Sequence, residues 1–161
     1  MSPEHDAVAE VLLRYAVAMD VSNLELLATC YTDDCRVEVS NRGLVATSRD
    51  AIVEGAAALL AAVDATYHVI TNQIVEVDGD RARMSAYAQT SYFRRGSPSG
   101  DSLVVLGIYE LELRRLADGW RASHVVLHEL WSKGNLELGG QTNPGYEPAW
   151  LWLRDGARGD T

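Results

Sequence analysis

Sulfur is scarce in this chain: two cysteines, Cys30 and Cys35, occur in 161 residues, and they do not form a Cys-x-x-Cys pair. That excludes a disulfide-built scaffold, and both are expected to be reduced thiols, one of them in the core. Long apolar runs are missing too, so no membrane-spanning helix is expected. Basic charge is short: 14 Lys and Arg stand against 23 Asp and Glu, a net charge of −9. Such a surface repels a phosphate backbone, which removes nucleic acid from the expected partners. The amino terminus, Met1 to Asp6, is acidic and lacks a basic segment with an apolar stretch behind it. It does not read as a signal peptide, and a cytoplasmic location is expected. Metal-ligand spacing is absent as well. His124 and His128 are four apart, but they sit in a strand-like pattern, where such side chains are too far apart to share one ion.

The remaining composition is that of an ordinary globular protein, with 47% hydrophobic and 23% charged residues. The length suits one domain with a sizeable core. Val8, Val11, Leu12, Tyr15 and Met19 recur at helical spacing and define a first amphipathic helix. A short second helix is expected to carry Leu24, Leu27 and Tyr31 on one side, broken at Thr32-Asp33-Asp34. Residues 36–40 alternate as a short strand, and Leu44-Val45 begin its return. Thr47 and Asp50 have capping-box spacing for a third helix running through Ile52, Leu59 and Val63. Four long strands follow, over 66–77, 81–93, 103–115 and 120–131, with hairpin turns at Asp78-Gly79 and Asp118-Gly119. Three helices and then a strand meander make an α+β fold, with helices on one face of the sheet. From Lys133 the chain is rich in Gly, Asn and Pro, yet it holds Trp150, Leu151 and Trp152.

Three residues point to chemistry. Tyr15 and Asp20 lie near the end of the first helix, and His68 lies near the start of the first long strand. A carboxylate that orients an imidazole makes a general base at neutral pH, and a phenol beside it donates a proton or holds an oxyanion. Each also has a plainer explanation. Tyr15 occupies a core position of its helix, Asp20 suits the turn that follows, and His68 alternates with Ile70 and Asn72 on one strand face. Tyr87, Tyr92 and Tyr109 supply further hydroxyls, and His124 is expected to share a face with Trp120, Ala122, Val126 and His128. The opposite face of that strand, with Val125, Leu127 and Trp131, is an apolar stripe expected to meet a second copy in a homodimer.

The ordered series Tyr-Ala-x-Ala-x-Asp, Tyr-Thr-Asp-Asp, Val-Asp-Gly-Asp-x-Ala, Gly-Ile-Tyr-Glu-Leu and Asp-Gly-Trp resembles the SnoaL-like branch of the nuclear transport factor 2-like superfamily. The resemblance covers about Ala7 to Trp131. It implies a cone-shaped α+β barrel: three N-terminal helices on a strongly curved antiparallel or mixed sheet, closed round a pocket. The barrel domain is then 1–132, with 133–161 an extension that caps the pocket or the dimer seam. Asp20 and His68 fall where scytalone dehydratases place their aspartate and histidine, and Tyr15 matches the tyrosine of bile-acid dehydratases. A second dehydratase histidine falls at Tyr92, and a pocket asparagine near Tyr109. The general-base aspartate of ketosteroid isomerases falls at Val39.

The combined expectation is a cofactor-free dehydratase, isomerase or cyclase acting on a small, largely hydrophobic ring compound or polyketide. His68, Asp20 and Tyr15 are its expected catalytic residues; Tyr92, Tyr109, His124, Tyr31 and Asn72 are expected to bind substrate. The other reading is a non-catalytic ligand-binding or assembly module, or a cyclase that works mainly by the shape of its pocket.

Overall fold

Helix α1 (Pro3–Asp20) starts on a cap that the sequence supplies. Ser2 Oγ accepts from the His5 N–H at 3.3 Å, and Pro3 fills the first turn, where its missing N–H is not needed. The computed structural model describes residues 2–40 and 43–139. Val8, Val11 and Leu12 are buried along one face of α1. Burying each such side chain contributes about 1.5–3 kcal/mol. The helix stops where Ser22 turns left-handed at φ 55° and the Asn23 N–H bonds back to the Ala18 carbonyl at 2.8 Å. Asn23 then caps α2 (Leu24–Ala28) through its side chain.

Tyr31 departs from the sequence expectation. It opens strand β1 (Tyr31–Val39) instead of extending α2. The cause is long-range pairing: β1 runs parallel to the last strand, with Tyr31 beside Ala122 and the Ala122 N–H bonded to the Cys30 carbonyl at 2.8 Å. β2 (Gly43–Ala46) returns antiparallel, and Ser48 rather than Thr47 caps α3 (Arg49–Ala61).

The four long strands are β3 (Ala65–Asp78), β4 (Arg81–Phe93), β5 (Ser102–Leu116) and β6 (Gly119–Gly134). A short 3-10 turn, Leu136–Gly139, follows. Gly79 takes φ 57° at the β3–β4 turn, which is why Asp-Gly closes that hairpin. The sheet order is β2-β1-β6-β5-β4-β3, mixed because β1 and β6 are parallel. This is an α+β cone: α1 crosses the inner face of the curved sheet, and the core sits between them.

Bulges decide which side chains face inward. One in β3, between Thr71 and Ile74, puts Asn72 in the left-handed region at φ 54° and turns it to solvent. Two more lie in β6. Glu112 pairs with His124 and Leu113 with Ala122, so Ser123 is the extra residue. Leu106 pairs with Trp131 and Gly107 with Glu129, so Leu130 is the extra residue. Inward alternation therefore runs Trp120, Ala122, then Val125, Leu127 and Glu129.

Candidate active site

Asp20 ends α1 at the negative end of the helix dipole, with no basic residue in the last turn to offset its charge. The compensation comes from β3. Asp20 Oδ1 lies 2.7 Å from His68 Nδ1 and accepts the Thr66 hydroxyl at 3.0 Å; Oδ2 accepts the His68 backbone N–H at 2.9 Å. Thr66 Oγ1 also reaches the Met19 carbonyl at 3.3 Å. Thr66 and His68 sit two apart on the inner face of β3, so one carboxylate spans both. A carboxylate on Nδ1 fixes the tautomer that leaves Nε2 its lone pair. The His68 side chain is 1% exposed, and Nε2 is buried without a hydrogen-bond partner among the described residues.

Tyr15 connects this pair to the cavity. Its ring packs edge-on against the imidazole at 5.4 Å between centroids, and its hydroxyl is 3.2 Å from that of Tyr109. The cavity is about 530 Å³, between the inner sheet face, α1 and α3. Its walls are mostly apolar, with a phenolic end formed by Tyr15, Tyr31 and Tyr109 and with Glu137 of the 3-10 turn at its border. Burial holds all three phenols above the ordinary tyrosine range; Tyr109 raises Tyr15 further, and Tyr15 raises Tyr31. They are therefore neutral phenols and not phenolates. Cys30 also borders the cavity, but burial pushes its thiol up to about 11, so it is not a ready nucleophile.

The structure distributes the expected site residues unevenly. Tyr15, Tyr31 and Tyr109 line the cavity. Asp20 and His68 do not: they lie one layer away, in contact with the lining through Tyr15 and the neighbouring Met19. Tyr92 packs against the small cluster of Leu103, Val105 and Leu138.

Two placements need correction. His124 does not face the cavity; the Ser123 bulge turns it to the opposite face, where Nε2 meets Glu38 Oε1 at 3.0 Å. Asn72 is exposed because of its own bulge. The Ser123 bulge likewise makes Val125 and Leu127 line the cavity instead of the outer face.

Two residues join the picture that sequence reasoning passed over. Thr66 was legible as a hydroxyl two positions before His68 on the same face. Glu129, 4% exposed on the inner side of β6, was hidden by the Ser123 bulge. Among the described residues no cluster of three or more His, Cys, Asp or Glu is placed to hold a metal ion.

A curved α+β cone, an apolar cavity with a phenolic end, and a carboxylate–imidazole pair against that end define a nuclear transport factor 2-like pocket protein. The chain belongs to the SnoaL-like domain family, whose model matches residues 2–126. Terrestric acid biosynthesis cluster protein E of Penicillium crustosum is 33% identical over 144 residues, spanning 86% of this chain and 90% of that protein. The Kfla4162 protein of Kribbella flavida has the same fold, with a TM-score of 0.78 at 26% identity, over 86% of this chain and 97% of the other. A candidate scytalone dehydratase from Novosphingobium aromaticivorans superposes with a TM-score of 0.73 at 18% identity, over 81% and 86% of the two chains.

Proposed function

We propose that this protein is a cofactor-independent acid–base enzyme that dehydrates, isomerises or cyclises a small, mostly apolar ring compound of polyketide type. The observation that carries the reading is the buried His68 imidazole held by the part-buried Asp20 carboxylate, with Nε2 unpartnered among the described residues and Tyr15 joining the pair to the cavity. His68 removes a proton beside a carbonyl, and Asp20 stabilises the imidazolium that forms. Tyr15, with Tyr109 hydrogen-bonded to it, donates to the forming enolate or the departing hydroxyl. The substrate carbonyl serves as the electron sink, so the step balances without a cofactor. Proton transfer of this kind contributes about 10²–10⁴-fold, and a preorganised donor adds more. The relative in a terrestric acid biosynthesis cluster supports a secondary-metabolite substrate.

One observation favours a second reading. The cavity lining omits Asp20 and His68, which suits a binding module or a shape-driven cyclase. The test is a panel of cyclic β-hydroxyketones, with absorbance of the conjugated product as readout and binding measured in parallel. Turnover in the wild type that is lost in His68→Ala supports the enzyme. Tight binding without turnover, unchanged in His68→Ala, supports the module.

The remaining assignments belong to the same proposal. Val69, Leu106 and Trp131 line up across β3, β5 and β6 on the outer sheet face and are at least a third exposed, with Tyr67 and Tyr87 beside them. This face is the proposed homodimer seam. The 133–161 extension is proposed as a pocket cap. Its first part supports this, since Glu137, Leu138 and Gly139 line the cavity; Trp150, Leu151 and Trp152 lie outside the described residues. A cytoplasmic setting suits the two free thiols. No helix among the described residues is long and apolar enough to cross a membrane.

A further inference from the structure

The base nitrogen of the proposed site is shut in. His68 Nε2 is buried and has no hydrogen-bond partner among the described residues, and the imidazole is closed to the outside and to the cavity alike. The pair cannot open the way itself. Asp20 holds Nδ1 at 2.7 Å and the His68 backbone N–H at 2.9 Å, and β3 is paired with β4 on both sides of His68. Two α1 side chains next to the pair also line the cavity, Tyr15 and Met19. Met19 is buried, and its carbonyl takes the Ser22 N–H at 3.1 Å and lies 3.3 Å from the Thr66 hydroxyl. Tyr15 is only half-buried, so its ring has open space on the cavity side. That ring packs edge-on against the imidazole at 5.4 Å, and its hydroxyl meets the Tyr109 hydroxyl at 3.2 Å. Tyr109 is buried and fixed in β5, with Ala86 on one side and Leu127 on the other.

We propose that Tyr15 is a side-chain gate over His68 Nε2 and that the Tyr109 hydroxyl is the latch that holds it shut. This rests on the reading of His68 as the base: a base that takes a proton from a molecule in the cavity must reach it, and the closed arrangement keeps the two apart. Opening is a rotation of the Tyr15 ring away from the imidazole, into the cavity space beside it. It breaks one hydrogen bond. At 3.2 Å that bond is longer than the usual O–H···O length of about 2.7–2.8 Å, so the latch is weak. Tyr109 cannot follow the moving ring, because its strand is bonded on both sides. A substrate carbonyl that accepts from either phenol competes for the same hydroxyls, so binding and unlatching are one event. The gate ties exposure of the base to an acceptor in the cavity and keeps water from Nε2 until then. Tyr109 is in this respect a positioning residue for His68, acting through Tyr15.

The experiment reads access to Nε2 and needs no substrate, so its outcome is independent of whether turnover is found. Diethyl pyrocarbonate acylates a free imidazole nitrogen with release of ethanol and carbon dioxide. Its rate at each histidine is followed by peptide mass spectrometry at neutral pH, with His5 in the first turn of α1 as the reference. In the wild type His68 is expected to react measurably but far more slowly than His5. Tyr15→Phe and Tyr109→Phe each keep the ring and remove one hydroxyl of the latch, so each should raise the His68 rate about two- to tenfold, the worth of one net hydrogen bond. The double variant should rise no further, because both changes break the same bond. Cys35, buried and outside the cavity lining, is alkylated in parallel to report on the fold. Either single variant carries the test if the other does not fold. An unchanged His68 rate in a folded single variant overturns the proposal, since a passive wall of the same volume predicts it. So do a further rise in the double variant, a His68 that never reacts in any form, and a rise matched at Cys35, which marks general loosening.

Discussion

Replacing Asp20 by asparagine keeps the volume of the side chain and removes its charge. The wild-type carboxylate takes the Thr66 hydroxyl and His68 Nδ1 on one oxygen and the His68 backbone N–H on the other. An amide has a single acceptor oxygen. If that oxygen faces the backbone N–H, the NH₂ group points at Nδ1 and forces the proton onto Nε2, which abolishes the base. If the amide flips, its NH₂ faces the backbone N–H, and two donors meet in a buried setting. A hydrogen bond to a charged group is worth about 1.5–3 kcal/mol, and a buried group left unpaired costs about 1–3 kcal/mol. One lost charged bond and partial loss of a second predict a destabilisation of about 2–4 kcal/mol. At this chain length that lowers Tm by about 5–15 °C. Turnover should fall by about 10²–10⁴-fold, the range expected when a general base is held in the wrong tautomer. Urea unfolding measures the first effect. ¹⁵N chemical shifts of the His68 ring measure the tautomer without any substrate. A variant with wild-type stability and an unchanged Nδ1-protonated ring would refute the argument.

Further expected outcomes follow from the same geometry. His68→Ala should lose the most turnover, Asp20→Asn less and Tyr15→Phe least, with the fold retained in circular dichroism; wild-type rates in the first two would transfer the case to a binding module. Thr66→Val should weaken the hold on Asp20 and lower stability by about 1 kcal/mol, with recovery in Thr66→Ser, both read by denaturant titration. Stability should fall from about pH 9 upward, because the unfolded chain releases first thiol and then phenolic protons that the buried Cys30, Cys35, Tyr15, Tyr31 and Tyr109 retain; each contributes up to about 1.4 kcal/mol per pH unit, and a pH-independent unfolding energy from 9 to 11.5 would contradict it. Gly55→Leu on α3, where a Cβ meets nothing within 4 Å, should stabilise the helix by about 0.5–1 kcal/mol while weakening uptake of an apolar dye, since Gly55 borders the cavity. Leu106→Asp should shift light scattering from dimer to monomer while leaving the fold intact.

Much of the architecture was legible in the residue pattern. Helical spacing in 8–19, Asp-Gly at two hairpin turns and the existence of four long strands reflect local energetics, so they survive folding. The ends of elements were less legible where distant pairing overrode local preference. Tyr31 became a strand residue because β6, ninety residues later, supplied a parallel partner.

The candidate site divides along the same line. Tyr15, Asp20 and His68 carry their chemistry in their side chains, so the sequence by itself singled them out and kept metal ligation and disulfide chemistry out of the reading. Which strand residues face the cavity was decided only in three dimensions. Strand parity has a period of two, and one extra residue inverts every assignment after it. Bulges at Asn72, Ser123 and Leu130 did so three times. They turned Asn72 and His124 outward, turned Val125 and Leu127 inward, and brought Glu129 into the cone beside Tyr109. The meeting of Asp20 with His68, 48 residues apart, likewise exists only because the end of α1 crosses the start of β3.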